Sequence, residues 1–397
     1  MSKDGSDNFI ALYRRMQGQS EIPAEYHFWS CIALIGAVLS DRVYVVWATR
    51  RLAPNLYVFL IGPSGSGKDY AIESALSLVH PLNIVRIYNG RTTAPHLVDM
   101  IGTADYEPPD PEKAKIWLTM PELSLSLGTG DQADSMVRLL TGIYGTGPGN
   151  EVPFSEGTRT RGQKIITNPC VNVLAGSTAE WHTDSISTAA VQGGFYARAF
   201  VVQGDYKLDD PMRQWEPVLP SDYEEIRARL RSRLIAMSKI KGEMRLTTKA
   251  LAKAVKWYHN RKLPTYPVIP WWQRMRAHAL KLSIIFAVAD GETKVIKEKH
   301  VSVAIKVVSS LEEQMPEVIR FASSGVESRL VNRIYDIIKR YRQISRTDLI
   351  RNVSSSGVTA AKLNVVIETL VEAGDIEEVS TSRGGAIYRW LGGKERE

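Results

Sequence analysis

Two cysteines, Cys31 and Cys170, are all that this 397-residue chain carries. They lie far apart in apolar segments, which excludes a disulfide scaffold and a cysteine-ligated zinc site and leaves two reduced core thiols. No stretch approaches the roughly 18 uninterrupted apolar residues that a membrane-spanning helix needs. Met1 to Asn8 is almost wholly polar or charged, unlike a signal peptide, so a cytosolic protein is expected. A clustered set of histidines and aspartates is also missing, which removes nuclease and primase chemistry. What the chain has is ordinary apolar content, 44%, and length for two or three domains. Its net charge is +7, unevenly spread. Residues 223–310 hold 19 Lys/Arg against 6 Asp/Glu. An anionic partner is expected there, nucleic acid first, with a merely solvated basic face as the alternative.

The most informative stretch is Phe59-Leu-Ile-Gly62-Pro63-Ser64-Gly65-Ser66-Gly67-Lys68-Asp69-Tyr70. An apolar run, Leu56 to Ile61, reads as a buried strand, and a helical pattern follows through Val79. Strand, G-x-x-x-x-G-K and helix in that order form the context of a phosphate-binding loop. Glycines let backbone N–H groups close around phosphate, and the helix N-terminus adds partial positive charge. Lys68 is expected to reach the β- and γ-phosphates of a nucleoside triphosphate. Where a Ser or Thr normally ligates Mg²⁺, Asp69 stands instead, a carboxylate able to hold the same ion.

Around this stretch the pattern alternates. Phe9 to Gln17 and Tyr26 to Leu39 read as helices and Arg42 to Ala48 as a strand, an N-terminal collar over residues 1–50 or a part of the core itself. Residues 51–205 read as an α/β unit. Its strands are Leu56–Ile61, Asn83–Tyr88, Lys115–Met120, Cys170–Thr178 and Ala199–Gln203. Glu122 follows the third strand, where an acid can orient water or hold Mg²⁺; the alternative is an acid stabilising a helix start. Thr178 ends the fourth strand and Arg198 precedes the fifth. Between the third and fourth strands, Gly145 to Lys164 reads as a loop or hairpin whose Arg159, Arg161 and Lys164 suit a phosphate backbone. Residues 206–324 read as an all-α, lid-like region, with helices at Asp222–Ser238, Thr247–Asn260, Trp271–Val288 and Lys297–Met315. Residues 325–397 read as three helices and a terminal β-hairpin, the pattern of a winged helix. Its third helix, with Thr359, Lys362 and Asn364 near the start, would enter a DNA groove, and Arg383 would sit on the wing.

The order Lys68, Glu122, Arg159/Arg161, Thr178, Arg198 and then Arg274 resembles the AAA+ core of hexameric replicative helicases. It looks closest to the minichromosome-maintenance-like helicases and the primase–helicase-type ATPases of phages and mobile elements. The resemblance covers about residues 25–320 and rests on Gly62–Lys68, Pro121-Glu122-Leu-Ser, Val173-Leu-Ala-Gly-Ser-Thr178, Gly194-Phe-Tyr-Ala-Arg198 and Arg274-Met-Arg-Ala-His-Ala-Leu-Lys281. It implies an α/β P-loop NTPase core with an all-α lid, assembled as a homo-oligomer, a hexamer, with ATP and Mg²⁺ at subunit junctions. Glu122 would be the Walker B glutamate, Thr178 the first sensor, Arg198 an arginine finger acting on a neighbour and Arg274 the second sensor. Arg159, Arg161 and Lys164 would grip single-stranded DNA in the pore. The chain departs from the family pattern at Asp69, at Thr178 in place of Asn, and in lacking an evident Walker B Asp. Four activities stay open at this level: a DNA helicase or translocase, an ATP-switched initiator or helicase loader, a DNA-packaging motor, against which the missing nuclease cluster weighs, and a protein-remodelling ATPase. For the last, Tyr144 and Phe154 near the hairpin are the relevant aromatics.

Overall fold

The computed structural model describes residues 8–123, 131–145, 153–158, 162–178, 194–204, 218–264, 268–323, 326–353, 360–372, 374–380 and 386–391. The chain divides into two compact units, Met1–Ala322 and Ser323–Glu397. The first is a mixed α/β unit around a five-stranded parallel sheet. Its strands are β1 (Tyr57–Ile61), β2 (Ile87–Asn89), β3 (Lys115–Met120), β4 (Cys170–Ser177) and β5 (Ala199–Gln203), in the order β5-β1-β4-β3-β2. Every residue of β1 and of β4 is buried. Near-continuous apolar runs are what a parallel strand covered on both faces requires.

Helices supply that cover. α1 (Phe9–Met16) is capped by Asn8, whose side chain accepts from Ile10 N and Ala11 N. α2 (Ala24–Leu39) is apolar on all sides and buried at nearly every position from Tyr26 onward, as a helix inside the core must be. It packs against β1, β4 and β5 and against α3 (Lys68–Val79), as part of the core. Asn172 and Gly176 of β4 face these two helices. Tyr57 points to the opposite face, where its hydroxyl donates to Leu140 O (3.0 Å) of α5 (Asp131–Gly145). Between α3 and α5 in sequence lies α4 (Ala94–Ile101), capped by Thr93.

The chain then continues into α6 (Tyr223–Ser238), α7 (Thr248–Asn260), α8 (Ile269–Ala289) and α9 (Glu298–Ser323). These join the same apolar core as the sheet. The expectation of an all-α region there needs correcting. Gly242–Glu243 pairs in parallel with Val43–Tyr44, and Arg245–Leu246 pairs with Val295–Ile296. The first of these two-residue ladders ties the helices to a β-hairpin, Val43–Trp47 with Arg50–Leu52. Two boundaries also move. The strand expected from Asn83 begins only at Ile87, because a 3-10 turn, His80–Leu82, and a left-handed Asn83 (φ 50°) occupy the start of that stretch. The helix expected to end at Met315 runs through Pro316 to Ser323, although an interior proline removes one helical N–H bond.

The second unit has its own core, built on Ile338, Leu349, Ile367 and Tyr388 among others. α10 (Val326–Tyr341), α11 (Arg346–Val353) and α12 (Ala360–Glu372) accompany a three-stranded antiparallel sheet, Gln343–Ser345, Ala386–Trp390 and Ile376–Ser380 in spatial order. No described helix of either unit is long and apolar enough to cross a membrane. Both cysteines are buried and unpaired.

Candidate active site

The parallel register brings the carboxyl ends of three strands together. Ile61 of β1 pairs with Ser177 of β4, and Met120 of β3 pairs with Ala175. Gly62–Lys68, Pro121–Glu122 and Thr178 therefore issue from one edge of the sheet. Ligands in open α/β folds bind outside this edge. The glycine loop closes onto it through Gly62 N, which donates to Ser177 O (3.1 Å).

Gly67 ends the loop at φ +78°, a conformation costly for any residue with a Cβ, and a Cβ there would also come 2.5 Å from the Ile22 side chain. α3 begins at the next residue, so its first amides have no intrahelical acceptor. Lys68 is 6% exposed. Its ammonium donates to Gly62 O (2.9 Å), Pro63 O (2.7 Å) and Ser66 Oγ (3.1 Å). A buried cation is thus held at the centre of the turn. Pro63, Ser64, Gly65, Asp69 and Tyr70 are exposed around it, and Ser66 is buried. Glu122 and Thr178 are half-buried.

Two residues not singled out from sequence complete this arrangement. Gly176 sits between β1 and β3. A Cβ there would lie 2.5 Å from Pro121 O and 3.3 Å from Lys68 Cβ, so only glycine lets the end of β3 and the start of α3 close over β4. A glycine inside an apolar strand is the available signal of such an approach. Tyr26 of α2 donates to Ile61 O (2.8 Å) from beneath the loop. It also packs against Gly204 after β5. Nothing in an apolar helix pattern marks one tyrosine for that duty.

Arg198 and Arg274 lie elsewhere. Arg198 closes the 3-10 turn Tyr196–Arg198 immediately before β5, and Ala199 pairs with Tyr57, the first residue of β1. It is therefore at the amino end of the sheet. β1 has five residues at about 3.3 Å each, so the loop of the same chain is on the order of 15 Å away. Arg198 Nη1 donates to Gly194 O (2.7 Å), while its Nε is buried without a partner. Burial, then the neighbouring charge of Arg274, lower the guanidinium pKa from its ordinary value.

α8 supplies the rest of this second cluster. Trp271 Nε1 donates to Ala199 O (3.2 Å) and His278 Nε2 to Ala197 O (2.9 Å), fixing the helix face that carries Arg274. Lys281, also buried, donates to Asn55 O (2.8 Å) and Asn55 Oδ1 (2.6 Å) and lies 4.3 Å from the centre of the Tyr144 ring. Among the described residues no carboxylate pairs with Arg198 or Arg274. The site residues expected from sequence thus separate into an acid-and-lysine group at one edge and a pair of arginines at the other.

His278 yields a test of this packing. Burial is the largest influence and pushes its pKa down to about 3, with Lys281 and Arg274 acting in the same direction against the Ala197 hydrogen bond. The unfolded chain then takes up the proton first as pH falls below about 6.5. Stability conferred by the neutral imidazole is full above that pH and is lost as pH drops toward 3, at up to about 1.4 kcal/mol per unit. Urea midpoints at pH 7 and pH 5 should differ by the equivalent of about 1–2 kcal/mol from this residue, and His278→Gln should flatten the difference. Equal pH slopes for the two proteins would mean an ordinary histidine.

The residues expected to touch DNA are distributed differently. Arg159, Arg161, Thr359 and Arg383 lie outside the described residues. Lys164 is within the strand Gly162–Ile166, opposite Glu156 in the register with Phe154–Thr158, rather than at the hairpin's tip. Lys362 belongs to α12. Asn364, on the same helix, is exposed, and its Oδ1 accepts from Arg346 Nη2 (2.5 Å) while Arg346 Nη1 donates to Tyr388 Oη (2.9 Å). That pair of bonds links α12 to α11 and the sheet. The described residues contain no cluster of three or more metal-ligating side chains. No protein-family model and no curated protein matches this chain.

Proposed function

We propose that the chain is an ATPase of the AAA+ class that works as a ring on DNA, hydrolysing ATP between neighbouring subunits to translocate or unwind, in replication of a phage or mobile element. The observation that carries this reading is the buried Lys68 ammonium inside the Gly62–Gly67 turn, with Glu122 and Thr178 at the ends of adjacent strands. A polyphosphate fits such a cradle: the turn ends in a left-handed glycine, its cation is already desolvated, and open space faces Gly65. Asp69 and Glu122 would hold Mg²⁺. Two carboxylates completed by phosphate and water oxygens are a common Mg²⁺ arrangement. The metal would offset charge on the phosphates. Lys68 would bind the β- and γ-phosphates, Glu122 would accept a proton from the attacking water, and Thr178 would orient that water.

Arg198 and Arg274 favour action on the neighbouring subunit, because they sit at the sheet edge remote from their own loop. The second unit, three helices with a three-stranded sheet, fits a winged helix whose DNA contacts would come from Thr359, Lys362 and Arg383. The basic balance of residues 223–310 is consistent with an anionic track. ATPase activity with and without single-stranded DNA, across salt concentration, is the direct test. Stimulation that fades as salt rises is expected for a backbone-gripping motor. Turnover indifferent to DNA would instead favour protein remodelling, and binding without turnover would favour an initiator or loader.

A further inference from the structure

From Met244 to Ala289 the sequence holds nine Lys/Arg and not one Asp or Glu. A second acid-free stretch, Arg42 to Lys68, contains the β-hairpin Val43–Leu52. The fold brings the two together. Arg276 of α8 lies with its guanidinium carbon 4.1 Å from the Trp47 ring centre and 5.0 Å from that of Tyr258 on α7. Arg51 stacks on Tyr44 at 4.7 Å. The rings are not buried for packing: Trp47 is 43% and Tyr258 36% exposed. Among the described residues, no carboxylate pairs with Arg50, Arg51 or Arg276.

We infer that this surface, centred on Trp47, Tyr258 and Arg276 and flanked by Arg50 and Arg51, is a binding site for single-stranded nucleic acid. All five residues belong to the first unit, and none is on the strands Phe154–Thr158 and Gly162–Ile166. Cations without counter-acids attract a phosphate backbone. Flat exposed rings between them give bases a stacking platform that tolerates any sequence. Two acids next to this surface are already paired, Glu243 (opposite Tyr44 in the register) with Arg245 and Glu312 with Arg261, which leaves Arg50, Arg51 and Arg276 for phosphate. The site does not depend on nucleotide turnover.

The test uses the full chain without nucleotide. Fluorescein-labelled oligo-dT and oligo-rU report affinity by anisotropy across salt, and bromouridine-substituted strands report location by photocrosslinking and peptide mapping. Trp47→Ala should weaken binding about 5- to 100-fold, the range for removing one base–aromatic stack, with Trp47→Phe recovering much of it. Arg50→Gln with Arg51→Gln, on an exposed strand that tolerates the change, should lower the salt slope by about 0.7 for each phosphate no longer neutralised. Crosslinks should map to the peptides carrying Trp47 or Tyr258. Unchanged affinity and slope with crosslinks elsewhere would overturn the site. So would variants that reduce assembly size while leaving affinity per chain intact, since the face would then join copies of the chain.

Discussion

Lys68→Ala should lower ATP turnover at least a hundredfold with little loss of folded structure. Removing one preorganised donor from developing charge typically costs about 10²–10³ in rate. Lys68 has more to lose than an exposed donor, because it is 6% exposed and already desolvated among Gly62 O, Pro63 O and Ser66 Oγ. Those three bonds belong to the turn itself, so truncation leaves two carbonyls to be solvated. The expected stability cost is about 1–2 kcal/mol, far short of unfolding. Lys68→Arg should fail nearly as badly, since a planar fork does not fit a socket shaped for a point cation. Turnover and thermal melting, measured side by side, separate the two effects. Normal turnover by folded Lys68→Ala protein would place the chemistry at another site.

The second large effect concerns the opposite edge of the sheet. Arg198→Ala and Arg274→Ala should each cut turnover on the order of 10³, the scale of a missing arginine finger, while nucleotide binding persists. The geometric reason is the distance on the order of 15 Å between the two ends of β1. An arginine before β5 serves its own Lys68 site poorly and a neighbour's well. Mixing Arg198→Ala with Lys68→Ala protein should therefore restore part of the activity, at junctions that pair an intact loop with an intact arginine. Absence of rescue at every mixing ratio would argue against a shared site. Stability supplies a control. Arg198 donates to Gly194 O and lies beside the like charge of Arg274, so removing either should cost no more than a hydrogen bond, about 1–2 kcal/mol. A large loss of stability would mark them as structural instead.

The sequence by itself determined the local parts. Apolar runs of five to eight residues specify buried strands, and the glycine spacing before Lys68 specifies a turn. These follow from neighbours in the chain, through hydrogen-bond satisfaction and the left-handed φ that glycine permits. The α/β character of the first unit was legible in the alternation of such strands with helices. The failures were also physical. Asn83–Ile84–Val85 has strand composition, yet β2 pairs with β3 only from Ile87, and pairing depends on a distant strand. Two-residue ladders such as Gly242–Glu243 carry no periodicity to detect.

Only the tertiary structure decided which candidate side chains share a place. Glu122 and Thr178 join Lys68 because strand order sets β4 between β1 and β3, and Gly176 allows the close approach. Arg198 and Arg274, far apart in sequence, meet because Trp271 and His278 fasten α8 to the carbonyls of Ala199 and Ala197. Tyr26 supports the loop from a helix that the sequence left open between collar and core. Strand order and helix docking are fixed by which apolar faces bury each other across the whole unit, and no local pattern of residues encodes that choice.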